Sequence, residues 1–365
     1  MARNSPQIMK RINFIVLAAF AFSWALLATP SPAQFVYVAN RSDSISAWSL
    51  NPKTGVLTAL SGSPFAGGPG PFSLALHPNS KFLYVTNNDA KTVSGYSIDD
   101  KTGALTAIKG SPFATGTSPE GVAVEPLGRF AYVTNGGDNT VWAYRIDAKT
   151  GALTALEGSS FPTGNNPRSV AVDPKAEFVY VVNQFGNTVS AYRIDQKSGG
   201  LTEVTGSPFP TGGAPITFMA THTGKFAYAT NATDATVSGY SIDHKTGALT
   251  PLSTSPFATG GQPIGIAVDP NGKFTYVTNG DSNTVSGYSI DPLTGALTPL
   301  PGSPFGAGSG PDSVAIDPTA QFAYVTNGQD STVSAYIIDC DGYLSPVAGS
   351  PFPTGGFPFA IAITK

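Results

Sequence analysis

The chain repeats one tetrapeptide seven times: Tyr37-Val-Ala-Asn40, Tyr84-Val-Thr-Asn87, Tyr132-Val-Thr-Asn135, Tyr180-Val-Val-Asn183, Tyr228-Ala-Thr-Asn231, Tyr276-Val-Thr-Asn279 and Tyr324-Val-Thr-Asn327. The closing asparagines are spaced by 47 residues once and then by 48 residues five times. A fixed period of this length restricts a chain to a solenoid, a propeller or another array of equal units.

A single unit, residues 119–166, separates those options. Residues 119–124 are a short apolar run stopped by Glu125-Pro126, and residues 130–134 carry the β-branched and aromatic side chains of a strand. Residues 140–146 predict a third strand, Asp147-Ala-Lys-Thr-Gly151 a turn, and residues 152–156 a fourth strand. Gly158-Ser-Ser-Phe-Pro-Thr-Gly164 then leads into the next unit. A helical solenoid needs a 3.6-residue period, which recurrent Ser-Pro, Asp-Pro and Thr-Gly pairs would interrupt in every unit. Four short strands per unit match a propeller blade, and a ring of equivalent blades permits strict repetition where a sandwich does not require it. The predicted fold class is all-β: a seven-bladed β-propeller of four-stranded antiparallel blades over residues 34–365.

The repeat is out of phase with the chain ends. Residues 35–39 are a second-type strand and residues 359–363 a first-type strand, so the C-terminal strand is expected to join the N-terminal blade and close the ring. The first strand of each unit carries small residues, Ala75, Ala123, Ala171, Ala267, Ala315 and Ala362, as expected where blades converge on an axis. Blade five departs with Thr217-Phe218-Met219, whose bulk is expected to fill or narrow the channel.

Residues 1–33 break the pattern. Arg3, Lys10 and Arg11 precede an apolar run over residues 14–28, and Ser31-Pro32-Ala33 offers small residues for cleavage, which together read as a secretory signal peptide. The run makes only about 22 Å of helix, short of a hydrocarbon core of about 30 Å. No stable membrane insertion is expected after cleavage, and the mature protein is placed as secreted or periplasmic, with attachment to the cell surface left open. Losing three cations from 20 leaves 17 Lys and Arg against 23 Asp and Glu, a balance that argues against a nucleic-acid partner. The single cysteine, Cys340, cannot form an internal disulfide, and the default state is a monomer.

With these residues in view, the repeats resemble the seven-bladed YVTN-type propellers and, more broadly, the lactonase-like propellers related to 6-phosphogluconolactonase and carboxymuconate cyclase. The resemblance covers residues 34–365 and rests on Tyr-Val-Thr-Asn, on Ser-Ile-Asp…Lys-Thr-Gly-Ala-Leu-Thr (residues 97–106 and 241–250) and on Gly-Ser-Pro-Phe (residues 62–65, 110–113, 302–305 and 349–352). These are strand, turn and packing residues, specific for a fold and weak for an activity. The resemblance implies a histidine, arginine and acidic cluster near the axis. His77, His222 and His244 depart from that pattern, because all three fall in turns on the opposite face by the repeat register.

After a recurring proline, the seven loops entering the first strands present Phe72, Glu120, Arg168, Ile216, Ile264, Asp312 and Phe359, and here the repeats differ most in chemical type. Divergent chemistry at one mouth of a repeated scaffold is what a grafted site looks like. Glu120, Arg168 and Asp312 are the candidate catalytic residues, with Arg168 steadying an oxyanion while Glu120 or Asp312 activates water. The competing account makes them solvated charges in a surface ion pair worth at most about 1 kcal/mol. Phe72, Ile216, Ile264 and Phe359 are the candidate ligand-binding residues, or else a plug in the channel.

The second-to-third-strand hairpins carry Asp43, Asp89, Asp138, Asp234, Asp281 and Asp330, read as turn residues; each loop offers too few carboxylates for calcium. No metal and no cofactor are expected. Two functions follow: first, a binding platform for a small-molecule lactone or other anionic ligand, or for an exported protein partner; second, a lactone hydrolase acting on a sugar or related lactone.

Overall fold

The computed structural model describes residues 33–365 as seven antiparallel sheets in a ring, with no helix among the described residues. The innermost strands are Pro358–Ile363 for blade one and Pro71–Leu76, Pro119–Val124, Pro167–Val172, Pro215–Ala220, Pro263–Val268 and Pro311–Ile316 for blades two to seven. Each packs against the innermost strands of both neighbouring blades, so the seven surround one axis. The predicted signal peptide lies, apart from Ala33, outside the described residues. No helix among the described residues is long and apolar enough to cross a membrane.

Blade one is closed by both ends of the chain. Pro358–Ile363 pairs antiparallel with Gln34–Asn40, in register from Val36 opposite Ile363 to Ala39 opposite Ala360. The Phe35 N–H donates to Thr364 Oγ1 at 2.8 Å, and the Thr364 N–H donates back to the Phe35 carbonyl at 2.9 Å. Sheet and inter-blade contacts are therefore continuous around the ring, with no gap at the termini.

The repeated tetrapeptide is a set of inter-blade fastenings. Each of its seven tyrosines is fully buried and donates its hydroxyl to a turn-glycine carbonyl of the next blade, from Tyr37 to Gly103 at 2.7 Å around to Tyr324 and Gly55 at 2.8 Å. In six blades, all but blade three, the asparagine side chain braces the following hairpin: Asn87 Nδ2 donates to Thr92 Oγ1 at 2.9 Å and to Ser94 Oγ at 2.8 Å. These bonds offset the burial of the amide N–H groups, whereas Asn87 Oδ1 has no partner. The branched residue between them fills the inter-blade core, as Val85 does beside Tyr37 and Leu74.

Two local features differ from the sequence expectation. Gly-Ser-Pro-Phe is no mere connection, because Phe65–Ala66 and its counterparts return to pair with the third strand in six blades. In blade three, where Ser160 replaces the proline and pairs with Trp142, the outer strand runs unbroken as Leu153–Pro162. Proline has no N–H to give to a ladder, whereas serine does. Of Thr217, Phe218 and Met219, which all line the axial cavity as expected, Phe218 differs in also giving its ring to the core between blades, where it stacks on Tyr180 with centroids 5.0 Å apart.

Candidate functional site

Each innermost strand begins with a proline paired to the tetrapeptide asparagine of its own blade, as Pro119 is to Asn135 and Pro311 to Asn327. The register then shifts before pairing resumes at Val122 and Val314. Such bulges re-aim side chains, and the residue after the proline here faces the axis. Phe359, Phe72, Glu120, Arg168, Ile216, Ile264 and Asp312, one per blade in ring order, line a single cavity of about 380 Å³. All seven residues selected from the sequence are brought together.

The tetrapeptide threonines hold this constellation. Thr86 Oγ1 donates to the Glu120 carbonyl at 2.8 Å, Thr134 to that of Arg168 at 3.3 Å, and Thr278 to that of Asp312 at 2.9 Å. Each also accepts an N–H from its own blade, such as Gly265 N to Thr278 Oγ1 at 2.8 Å. A residue that reads as scaffold thus fixes the backbone of a mouth residue on the next blade.

Charge at the mouth is concentrated and poorly solvated. Arg168 Nη1 lies 3.3 Å from Glu120 Oε2, with side-chain exposures of 22% and 9%, so this is not a solvated surface pair. Burial pushes the Glu120 carboxyl above its usual range against the opposing pull of Arg168 and Arg41. Burial likewise lowers the Arg168 guanidinium, while Glu120 beside it acts in the other direction. Asp312 is pushed up to about 7 by burial, with Arg168 and Arg41 holding it from rising further and no hydrogen bond contributing.

Two glycines make room for these acids. A Cβ on Gly328 would stand 2.4 Å from Asp312 Oδ2, and one on Gly136 would stand 2.7 Å from Glu120 Oε1. Both glycines directly follow the tetrapeptide asparagine of the same blade. In blade one that register position is Arg41, which the sequence reading missed. Arg41 stands over the Phe72–Phe359 pair, 5.2 Å and 5.9 Å from the two ring centroids. The signal was present: this hairpin position also varies from blade to blade, through Asn88, Gly136, Gln184, Ala232, Gly280 and Gly328.

The family model for the lactonase seven-bladed β-propeller matches residues 28–216 and 212–305. The chain belongs to that family. Among solved structures, this lactonase-family propeller is similar to a Bacteroides fragilis protein provisionally named a 6-phosphogluconolactonase (19% identity, TM-score 0.81, 93% of this chain and 99% of that one). It is similar also to the periplasmic gluconolactonase of Pseudomonas aeruginosa (18%, TM-score 0.78, 91% and 99%) and to a Lactobacillus plantarum protein (22%, TM-score 0.76, 92% and 100%). Likeness at these identities establishes the shared fold. No curated protein matches the chain.

None of the three histidines of this lactonase-family member lines the cavity. His77 bonds through Nε2 to the Gly128 carbonyl at 2.9 Å, joining blades two and three. The hairpin aspartates reach beyond their own turns to the loops that enter the innermost strands: Asp43 Oδ1 accepts from Gly70 N at 2.8 Å, and Asp330 Oδ2 from Ser309 N at 2.6 Å. No cluster of metal-ligating side chains forms among the described residues. Cys340 is free and exposed.

Proposed function

We propose that the protein is a lactone hydrolase whose active site is the axial cavity and whose general base is Asp312. The observation that carries this reading is the placement of Asp312, a carboxyl that burial pushes up to about 7, in the same small cavity as the Arg168 guanidinium. A base titrating near the working pH combines a useful ionised fraction with proton affinity. Glu120 is committed to Arg168 by their ion pair, which leaves Asp312 as the acid free to act on water.

The reaction follows from those roles. Ionised Asp312 takes a proton from water as the water oxygen bonds to the lactone carbonyl carbon. Arg168, oriented by Glu120, stabilises the oxyanion. The tetrahedral species collapses by breaking the ring C–O bond, the departing alkoxide takes the proton from Asp312, and the hydroxy acid is released and ionises. Family membership and the gluconolactonase and 6-phosphogluconolactonase names of structural neighbours support the substrate class. The N-terminal signal-peptide pattern and the periplasmic neighbour support an exported site of action.

The test is proton release on a panel of sugar lactones and muconolactone, comparing the parent with Asp312→Asn. Turnover that collapses in the variant with the fold retained supports the reading; no turnover by the parent on any lactone overturns it. The second reading, a binding platform without turnover, is favoured by the Phe72–Phe359 pair, whose rings lie 4.3 Å apart beneath two guanidiniums.

A further inference from the structure

Arg41 and Arg168 lie over the same two rings but have different partners. The Arg168 carbon is 5.0 Å from the Phe72 centroid and 5.9 Å from that of Phe359; the Arg41 distances are 5.2 Å and 5.9 Å. Arg168 is tied to Glu120, whereas the two ion pairs among the described residues, Arg129 with Glu125 and Arg168 with Glu120, do not include Arg41. Arg41 is exposed, and only its backbone is fastened, N–H to the Phe357 carbonyl at 3.0 Å. Two guanidiniums on one aromatic platform repel each other, a cost that attraction to the ring faces and the nearby Glu120 and Asp312 carboxyls offsets and that an anion between them lowers further.

We infer that Arg41 is a specificity-determining residue: it binds a second anionic group, carboxylate or phosphate, on the lactone substrate. This rests on the hydrolase reading and adds to it a residue contributed by a hairpin rather than by an entry loop. The division of labour is geometric. Arg168, buried and paired with Glu120, serves the reacting carbonyl, and Arg41, at the rim with its planar donors uncommitted, takes the substrate's remote charge. A planar guanidinium presents several N–H groups in a fixed fork to an oxyanion, an arrangement that a lysine ammonium does not reproduce.

The experiment compares kcat/KM for 6-phosphogluconolactone, muconolactone and neutral gluconolactone in the parent, Arg41→Ala and Arg41→Lys. Loss of a charge-assisted contact is expected to lower the anionic-to-neutral selectivity ratio by about 10- to 100-fold in Arg41→Ala, chiefly through KM. Arg41→Lys should recover part of the ratio. The two anionic lactones distinguish phosphate from carboxylate as the preferred group. An unchanged ratio overturns the inference. Calorimetric binding of 6-phosphogluconate separates the two claims: with no turnover in the parent, binding that weakens in Arg41→Ala upholds the anion site and sinks the hydrolase, and no binding by the parent sinks the anion site.

Discussion

The Thr278 hydroxyl of blade six donates to the Asp312 carbonyl of blade seven at 2.9 Å while accepting the Gly265 N–H at 2.8 Å. One scaffold side chain thereby ties the proposed base to the neighbouring blade. Thr278→Val keeps the shape and leaves both backbone groups unpaired, which costs about 1–3 kcal/mol. The expected result is a lowered melting temperature, a several-fold loss of kcat and a displaced ionisation in the pH profile, with Thr278→Ser restoring all three. A pH profile identical to the parent's would reduce Thr278 to a purely structural role.

Gly328 provides a steric test of the same carboxyl. A methyl group in Gly328→Ala would lie 2.4 Å from Asp312 Oδ2, so the carboxylate must move. Activity should fall at least tenfold, since small displacements of a reacting group are costly. Gly306→Ala is the control, because a Cβ there meets nothing within 4 Å. Equal activity in the two variants would show that the position of Asp312 is immaterial.

Much of this fold was legible because repetition multiplies weak signals. The strands of residues 119–124 and 140–146 fall where read, since apolar runs end at fixed turn residues. The seven entry residues were legible as the divergent members of an otherwise uniform register. Arg41 was not, because its hairpin is marked in sequence by the recurrent turn aspartate, and only the closed ring brings the residue after Asn40 over Phe72 and Phe359. The elevation of Asp312 was not, because a pKa depends on burial and on charges from other blades, which one strand's sequence does not contain. The stacking of Phe218 on Tyr180 was not, because one strand's sequence does not say which ring of the neighbouring blade it meets.

The Asp312 carboxyl also predicts how stability varies with pH. Its folded value of about 7 exceeds the ordinary 3.8, so between those values the native state binds more protons than the unfolded chain. This group's contribution to stability is therefore fully present below about pH 4 and lost as pH rises through about 7. Asp312→Asn should melt above the parent at about pH 8, with the difference shrinking toward about pH 4. A difference independent of pH would mean that the folded carboxyl titrates normally.

Ring closure yields a prediction that does not depend on activity. Deleting residues 359–365 removes the partner of Gln34–Asn40 and the buried Ile361, leaving an open sheet edge. A large drop in melting temperature is expected for the whole propeller. Tyr324→Phe, which loses only the hydroxyl bond to Gly55, should cost about 1 kcal/mol. An unchanged melting temperature after the deletion would contradict the closure account.

The most direct measurement is the pH dependence of kcat/KM for lactone hydrolysis, parent against Asp312→Asn. Arg168, Arg41 and Glu120 are the charged groups that share the cavity mouth with Asp312, and the value of about 7 includes the pull of both arginines. The account predicts activity rising with pH through a single ionisation near 7 to a plateau, with that ionisation and most of the rate absent from Asp312→Asn. Parent-like rates in Asp312→Asn, or a profile with no break between about pH 5 and about pH 9, would contradict it.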